Sequence, residues 1–190
     1  YAAYQAAGLF TSCPQSALYI YQIADHQRRH TGLVAMNNVE DFFGGKVKKH
    51  EKTLSEKEQQ QVQLFLQWEA VLKPVLLTYP PVAPIAEWLD RYVRRHKPIF
   101  STQFSKSHQH HRAWAVSAQE DILALQDLFA AHVRSTYIAD GHHRTSTTAL
   151  LHEAGKELYP RYDFDHLFCA FFAADQLDIL DYNRVVEGLD

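Results

Sequence analysis

Short runs of β-branched and aromatic residues, each closed by a turn residue or a proline, are interleaved with stretches of helical periodicity in no regular order. This pattern restricts the fold more than any other feature of the chain. Residues 16–24, SALYIYQIA, read as a strand, with Leu18, Ile20 and Gln22 opposing Tyr19, Tyr21 and Ile23. A polar turn at 28–32 should lead to an antiparallel partner at 33–39. Further strands are expected at 75–79, 98–104, 111–117, 135–139 and 177–186, and the opening residues also look strand-like. Residues 165–174, DHLFCAFFAA, are apolar enough for either a central strand or a buried helix. Helices are expected from the capping box Ser55-x-x-Glu58 to Pro74, with Val62, Leu64, Phe65, Trp68, Val71 and Leu72 at helical spacing. Others are expected over 83–96, after a second capping box at Ser117-x-x-Glu120, and from Thr145 to Glu153 with a stop near Gly155. Strands and helices do not alternate strictly, so the class is α+β: one domain over residues 1–190, expected to be an internal part of a longer chain.

The chain has 190 residues, 46% hydrophobic and 22% charged, which suits a globular domain with a normal core. A net charge of −3 offers no basic excess for nucleic acid, and no apolar run reaches membrane-span length. Cys13 and Cys169 form no paired motif, which favours a reducing, cytoplasmic compartment over a disulfide framework. Cys169 in LFCAFF reads as a small buried hydrophobe, and Trp68, Trp88 and Trp114 fall on apolar faces and read as core.

Chemistry concentrates in YIADGHHRTSTTALL, residues 137–151. A strand ends near Ala139, Gly141 allows a positive φ, and a helix follows at once. The first amides of that helix and its dipole make an anion site. Arg144 adds a fork of donors, His142 or His143 another, and Thr145, Ser146, Thr147 and Thr148 add hydroxyls. Asp140, an acid beside a phosphate site, points to a magnesium ion, a hydroxyl to orient or a proton to remove. The simpler alternative is a helix cap paired with Arg144 on the surface. A metal shared by His142 and His143 is disfavoured, because neighbours on an extended segment face opposite ways. KKHEKT, residues 48–53, is a second polar cluster, and on composition alone it reads as a solvated basic turn. HQHHR, residues 108–112, reads as an exposed loop rather than a metal clutch.

IADGHHRTSTTAL, ALYIYQ, TGLVAMNNVEDFFGGKVKKHEKTLSEKE and HRAWAVS together resemble a large prokaryotic family of conserved proteins, domain of unknown function one thousand and fifteen. LDILDYNRVV resembles a further family stretch, with Asp181, Tyr182 and Asn183 departing from its Pro-Thr-His and Arg184 retained. The resemblance covers essentially the whole chain in order. It implies roles for His50, Glu51 and Thr53, which match the family's pattern, and flanking segments beyond this chain.

The Asp-Gly-His-His-Arg turn is also similar to the phosphate-binding turn of the ParB and sulfiredoxin superfamily, which includes kinases of free serine. That similarity implies a mixed sheet flanked by helices, with Gly141, His142, His143, Arg144 and Thr145 on nucleotide phosphates. The turn has no cysteine, which disfavours sulfiredoxin chemistry, and the chain shows no helix-turn-helix or basic surface for a partition protein. The expectation is phosphoryl transfer from ATP or ADP to a small hydroxyl-bearing metabolite such as free L-serine. Asp140 or Glu51 would be the base, Asp140 would hold Mg²⁺, and Lys48, Lys49 or Arg184 would assist Arg144. The alternatives are a sensor or scaffold module that binds ATP, ADP or CTP without turnover and a metal-dependent hydrolase using the histidines. Neither nucleic acid nor membrane is expected as a partner, and the oligomeric state stays open.

Overall fold

The computed structural model describes residues 2–10, 15–51, 55–68, 70–158, 162 and 164–180. Eight strands form one sheet: β1 Leu18–Ala24, β2 Arg29–Asn38, β3 Val47–Lys48, β4 Val75–Tyr79, β5 Phe100–Phe104, β6 Gln109–Val116, β7 Thr136–Asp140 and β8 His166–Ala173. The helices are α1 Ala2–Ala6, α2 Glu40–Phe43, α3 Ser55–Trp68, α4 Ala83–Arg95, α5 Gln119–His132 and α6 His142–Leu158. Strand order is β3-β7-β4-β8-β2-β1-β6-β5. Two pairs, β3 with β7 and β4 with β8, are parallel and the rest antiparallel. This is the α+β architecture with a mixed, helix-flanked sheet.

Burial follows the period of two. Val75, Leu77 and Tyr79 of β4 pack with Ile20, Val116, Ile138, Cys169 and Phe171 beneath Ile85, Leu89 and Tyr92 of α4 and Leu125 of α5. In β8 the alternate residues Ala170 and Phe172 are buried as well, so the strand is covered on both faces. A continuous apolar run is what such a central strand requires, which resolves the ambiguity at 165–174. Helix α6 packs against β4 and β8, and α3 packs on α6. Cys169 is free, and burial raises its thiol well above the ordinary range, leaving it inert. Trp114 is buried and Trp88 stacks on Tyr92, while the Trp68 side chain lies outside the described residues.

Several boundaries differ from the sequence reading. The chain opens in helix α1, not in a strand. The β1–β2 turn lies upstream of 28–32, because Asp25 Oδ1 accepts the amides of Gln27 (2.7 Å) and Arg28 (2.8 Å) and closes the turn there. Helix α3 ends at Trp68, so Val71 and Leu72 lie beyond it and are exposed. Ser117 is no cap: Ala118 holds that position, with no side-chain hydrogen bond. The HQHHR loop is mostly strand, with Gln109 to Arg112 in β6. Helix α6 begins at His142 and runs through Gly155. A Cβ at Gly155 would lie 2.5 Å from the Phe164 ring, so this glycine serves close packing rather than a stop. Residues 177–180 form no strand, and the remainder of the proposed 177–186 strand lies outside the described residues. Among the described residues, no helix is long and apolar enough to cross a membrane.

Candidate functional site

Three connections leave the sheet at one end. Strands β3 and β7 run parallel, so the segment after Lys48 and the turn at Asp140 emerge side by side. Strand β4 runs antiparallel to β7 with Leu76 opposite Asp140, which brings its own beginning, and residues 70–73 before it, to the same end. With α3 and the first turns of α6, these connections enclose a pocket of about 670 Å³, a size that takes a small molecule.

The turn itself has the positive φ that the sequence suggested. Gly141 has φ +104°, and a Cβ there would lie 2.8 Å from Arg144 Nη2. Arg144 folds back over this bare backbone, and Nη2 donates to Asp140 Oδ2 at 2.5 Å. The guanidinium therefore lines the pocket while neutralising its neighbour. The amino end of the 17-residue α6 forms part of the wall, which places the positive end of the helix dipole there. Thr145 belongs to the helix instead. It is fully buried, and both its amide (3.0 Å) and its hydroxyl (3.1 Å) donate to the Gly141 carbonyl. The Thr148 hydroxyl is likewise used, on the Arg144 carbonyl. Thr147 is different: it lines the pocket, is buried, and its Oγ1 has no hydrogen-bond partner.

His142 and His143 occupy the first turn of α6, not an extended segment, and only His142 is buried. Its ring meets His50 edge-on with centroids 4.4 Å apart, and its Nδ1 lies 3.5 Å from Glu51 Oε2. That separation is too long for a hydrogen bond. The Nε2 atom is buried without a partner. Burial, aided by the neighbouring His50, lowers the imidazole pKa below its ordinary value and outweighs the opposing pull of Glu51 and Asp140. The ring is therefore neutral at pH 7.

The structure thus gathers Glu51, Asp140, Gly141, His142, His143 and Arg144 around one cavity, with His50 against His142. Lys49 is not among the lining residues; its ammonium sits over the Phe42 ring, 5.7 Å from the centroid. Thr53 and Arg184 lie outside the described residues. Sequence reasoning missed Lys73 and Gln61, which line the pocket from the β4 approach and from α3. No local signal marks either one; only the β4–β7 pairing brings residue 73 to residue 140.

The whole chain, residues 1–190, matches the family described as "Protein of unknown function (DUF1015)". The chain belongs to that family. No curated protein and no solved structure matches it. In this DUF1015 chain, the pocket and the chemistry of its own residues are what bear on function.

Proposed function

We propose that the pocket binds nucleotide phosphates and supports phosphoryl transfer from ATP or ADP to a small hydroxyl-bearing metabolite, with free L-serine the first acceptor to test. The observation that carries this reading is the Arg144 guanidinium packed over Gly141 at the amino end of α6. Two kinds of donor that favour phosphate oxygens, a planar fork and a helix terminus, meet there. Lys73 adds a second positive charge to the wall. The likeness of the turn to the ParB and sulfiredoxin superfamily, which prompts the kinase reading, rests on the turn residues alone.

In this reading Arg144 turns one edge of its fork to the phosphates and loosens its hold on Asp140. The freed carboxylate, or that of Glu51, which also lines the cavity, takes the proton of the acceptor hydroxyl. The acceptor oxygen bonds to the terminal phosphorus as the bond from phosphorus to the departing nucleotide oxygen breaks. Mg²⁺ prefers six oxygens, so it would arrive with the nucleotide, keep most of its waters and phosphate oxygens, and take one protein carboxylate, for which Asp140 is suited. A sensor without turnover is the second reading, favoured by the closed Asp140–Arg144 pair, which occupies a candidate base.

Thermal-shift titration with ATP, ADP, CTP and pyrophosphate, with and without Mg²⁺, tests binding. Phosphorus NMR of the protein with ATP and a pool of hydroxy amino acids tests turnover. A shift with ATP and a new phosphomonoester signal supports the kinase; a shift without product supports the sensor. No shift with any of the four ligands overturns both.

A further inference from the structure

We propose that His50, Glu51 and His142 form a binding site for a divalent transition-metal ion of the zinc class at the rim of the pocket. One donor atom from each residue can be chosen so that all three lie within 4.8 Å of one another. They come from two separate connections: His50 and Glu51 follow β3, and His142 opens α6. Chance clustering of exposed acids does not describe this set, because two of the three groups are imidazoles and one of those is buried.

The buried member supplies an independent observation. His142 is 6% exposed, and its Nε2 has no hydrogen-bond partner. An unsatisfied buried polar atom is costly, so native structures rarely keep one without a use. Either ring nitrogen can serve as the ligand atom, and ligation through Nε2 would give that atom a partner.

Geometry and donor type narrow the ion. Ligand bonds of about 2.1 Å in a tetrahedral shell put donor atoms about 3.4 Å apart. The present spacing needs a modest contraction, and His50 and Glu51 are exposed and free of the core; the Glu51 side chain is 59% exposed. Two nitrogens and one carboxylate suit zinc, cobalt, iron or manganese and disfavour Mg²⁺ and Ca²⁺, which select oxygen. Three protein ligands leave at least one coordination position for water or a substrate oxygen, the arrangement of catalytic rather than structural zinc.

The inference shares Glu51 and His142 with the nucleotide reading but does not depend on it, and metal alone tests it. The chain is stripped with a chelator, dialysed, and titrated with Co²⁺ by visible absorption and with Zn²⁺ by calorimetry. One ion per chain is expected, with visible Co²⁺ bands displaced by Zn²⁺. His50→Ala and Glu51→Gln alter exposed side chains and should weaken binding at least about tenfold, the loss that removing even an outer partner of a ligand brings. His142→Gln should abolish the bands, with circular dichroism verifying its fold, and His110→Ala should leave them intact. No binding by the wild type, or binding unchanged in both His50→Ala and Glu51→Gln, overturns the proposal. A chain that binds ATP but no metal loses only this inference, and one that binds metal but no nucleotide loses only the other.

Discussion

Two histidine-rich stretches of this chain have opposite fates. In β6, His110 and His111 are neighbours on one strand and point to opposite faces. Each is already engaged: His111 Nδ1 with the Tyr21 hydroxyl at 2.7 Å, and His110 with Ser101 Oγ at 2.9 Å and Arg112 Nη2 at 3.1 Å. At the mouth of α6, His142 meets His50, which lies far away in sequence, and keeps an unpartnered nitrogen. The density of histidine does not distinguish them. What distinguishes them is convergence from different elements onto a cavity, together with a polar atom whose hydrogen-bonding capacity the fold leaves unused.

Several experiments would break or sharpen this contrast. The largest effect is expected from Arg144→Ala, which removes charge-assisted hydrogen bonds worth about 1.5–3 kcal/mol and should weaken nucleotide binding roughly 10- to 100-fold in a thermal-shift titration. An unchanged shift would remove the turn from the phosphate site. Gly141→Ala comes next: a strained φ and a Cβ pressed on the guanidinium should cost about 1–3 kcal/mol, with Tm falling by about 2–4 °C per kcal/mol in calorimetry.

Acid sensitivity is a third, smaller effect. Burial lowers the pKa of both His142 and His111, so below about pH 6.5 the unfolded chain binds more protons than the folded one. Their contribution to stability is fully present above that pH and is lost as pH falls toward their lowered folded values. In metal-free protein, His142→Gln should flatten the acid side of the Tm profile between pH 7 and 5. A slope unchanged from wild type would show that this imidazole does not carry the dependence. His110→Ala should do least of all, changing neither ligand affinity nor Tm by more than a small amount, because its bonds lie at the exposed edge hairpin.

The comparison also shows what could be read from the chain in advance. The turn was legible because its signals are local: a strand ending near residue 140, a glycine able to take φ +104°, and a helix start with Arg144 in its first turn. Strands β1, β4 and β7 and helix α4 were legible by period and punctuation. The partnership of His50 with His142 was not, because it depends on the parallel β3–β7 pair, and β3 is too short to leave a pattern of its own. Lys73 was hidden for the same reason, and Thr145 was misjudged because a hydroxyl near a helix start can equally be spent on the preceding turn. HQHHR was misread because a polar edge hairpin can face water and still be strand.

One wall of the cavity hangs from β3, a strand of two residues at the margin of the sheet, joined to β7 by Val47, Lys48 and the amide of Thr136 bonded to the Lys46 carbonyl at 2.9 Å. So short a tether frays more readily than the strands at the centre. The Thr136 amide therefore acts as a gauge: an occupant that clamps both walls will slow its hydrogen exchange, while one that touches only α6 will leave it exchanging as before.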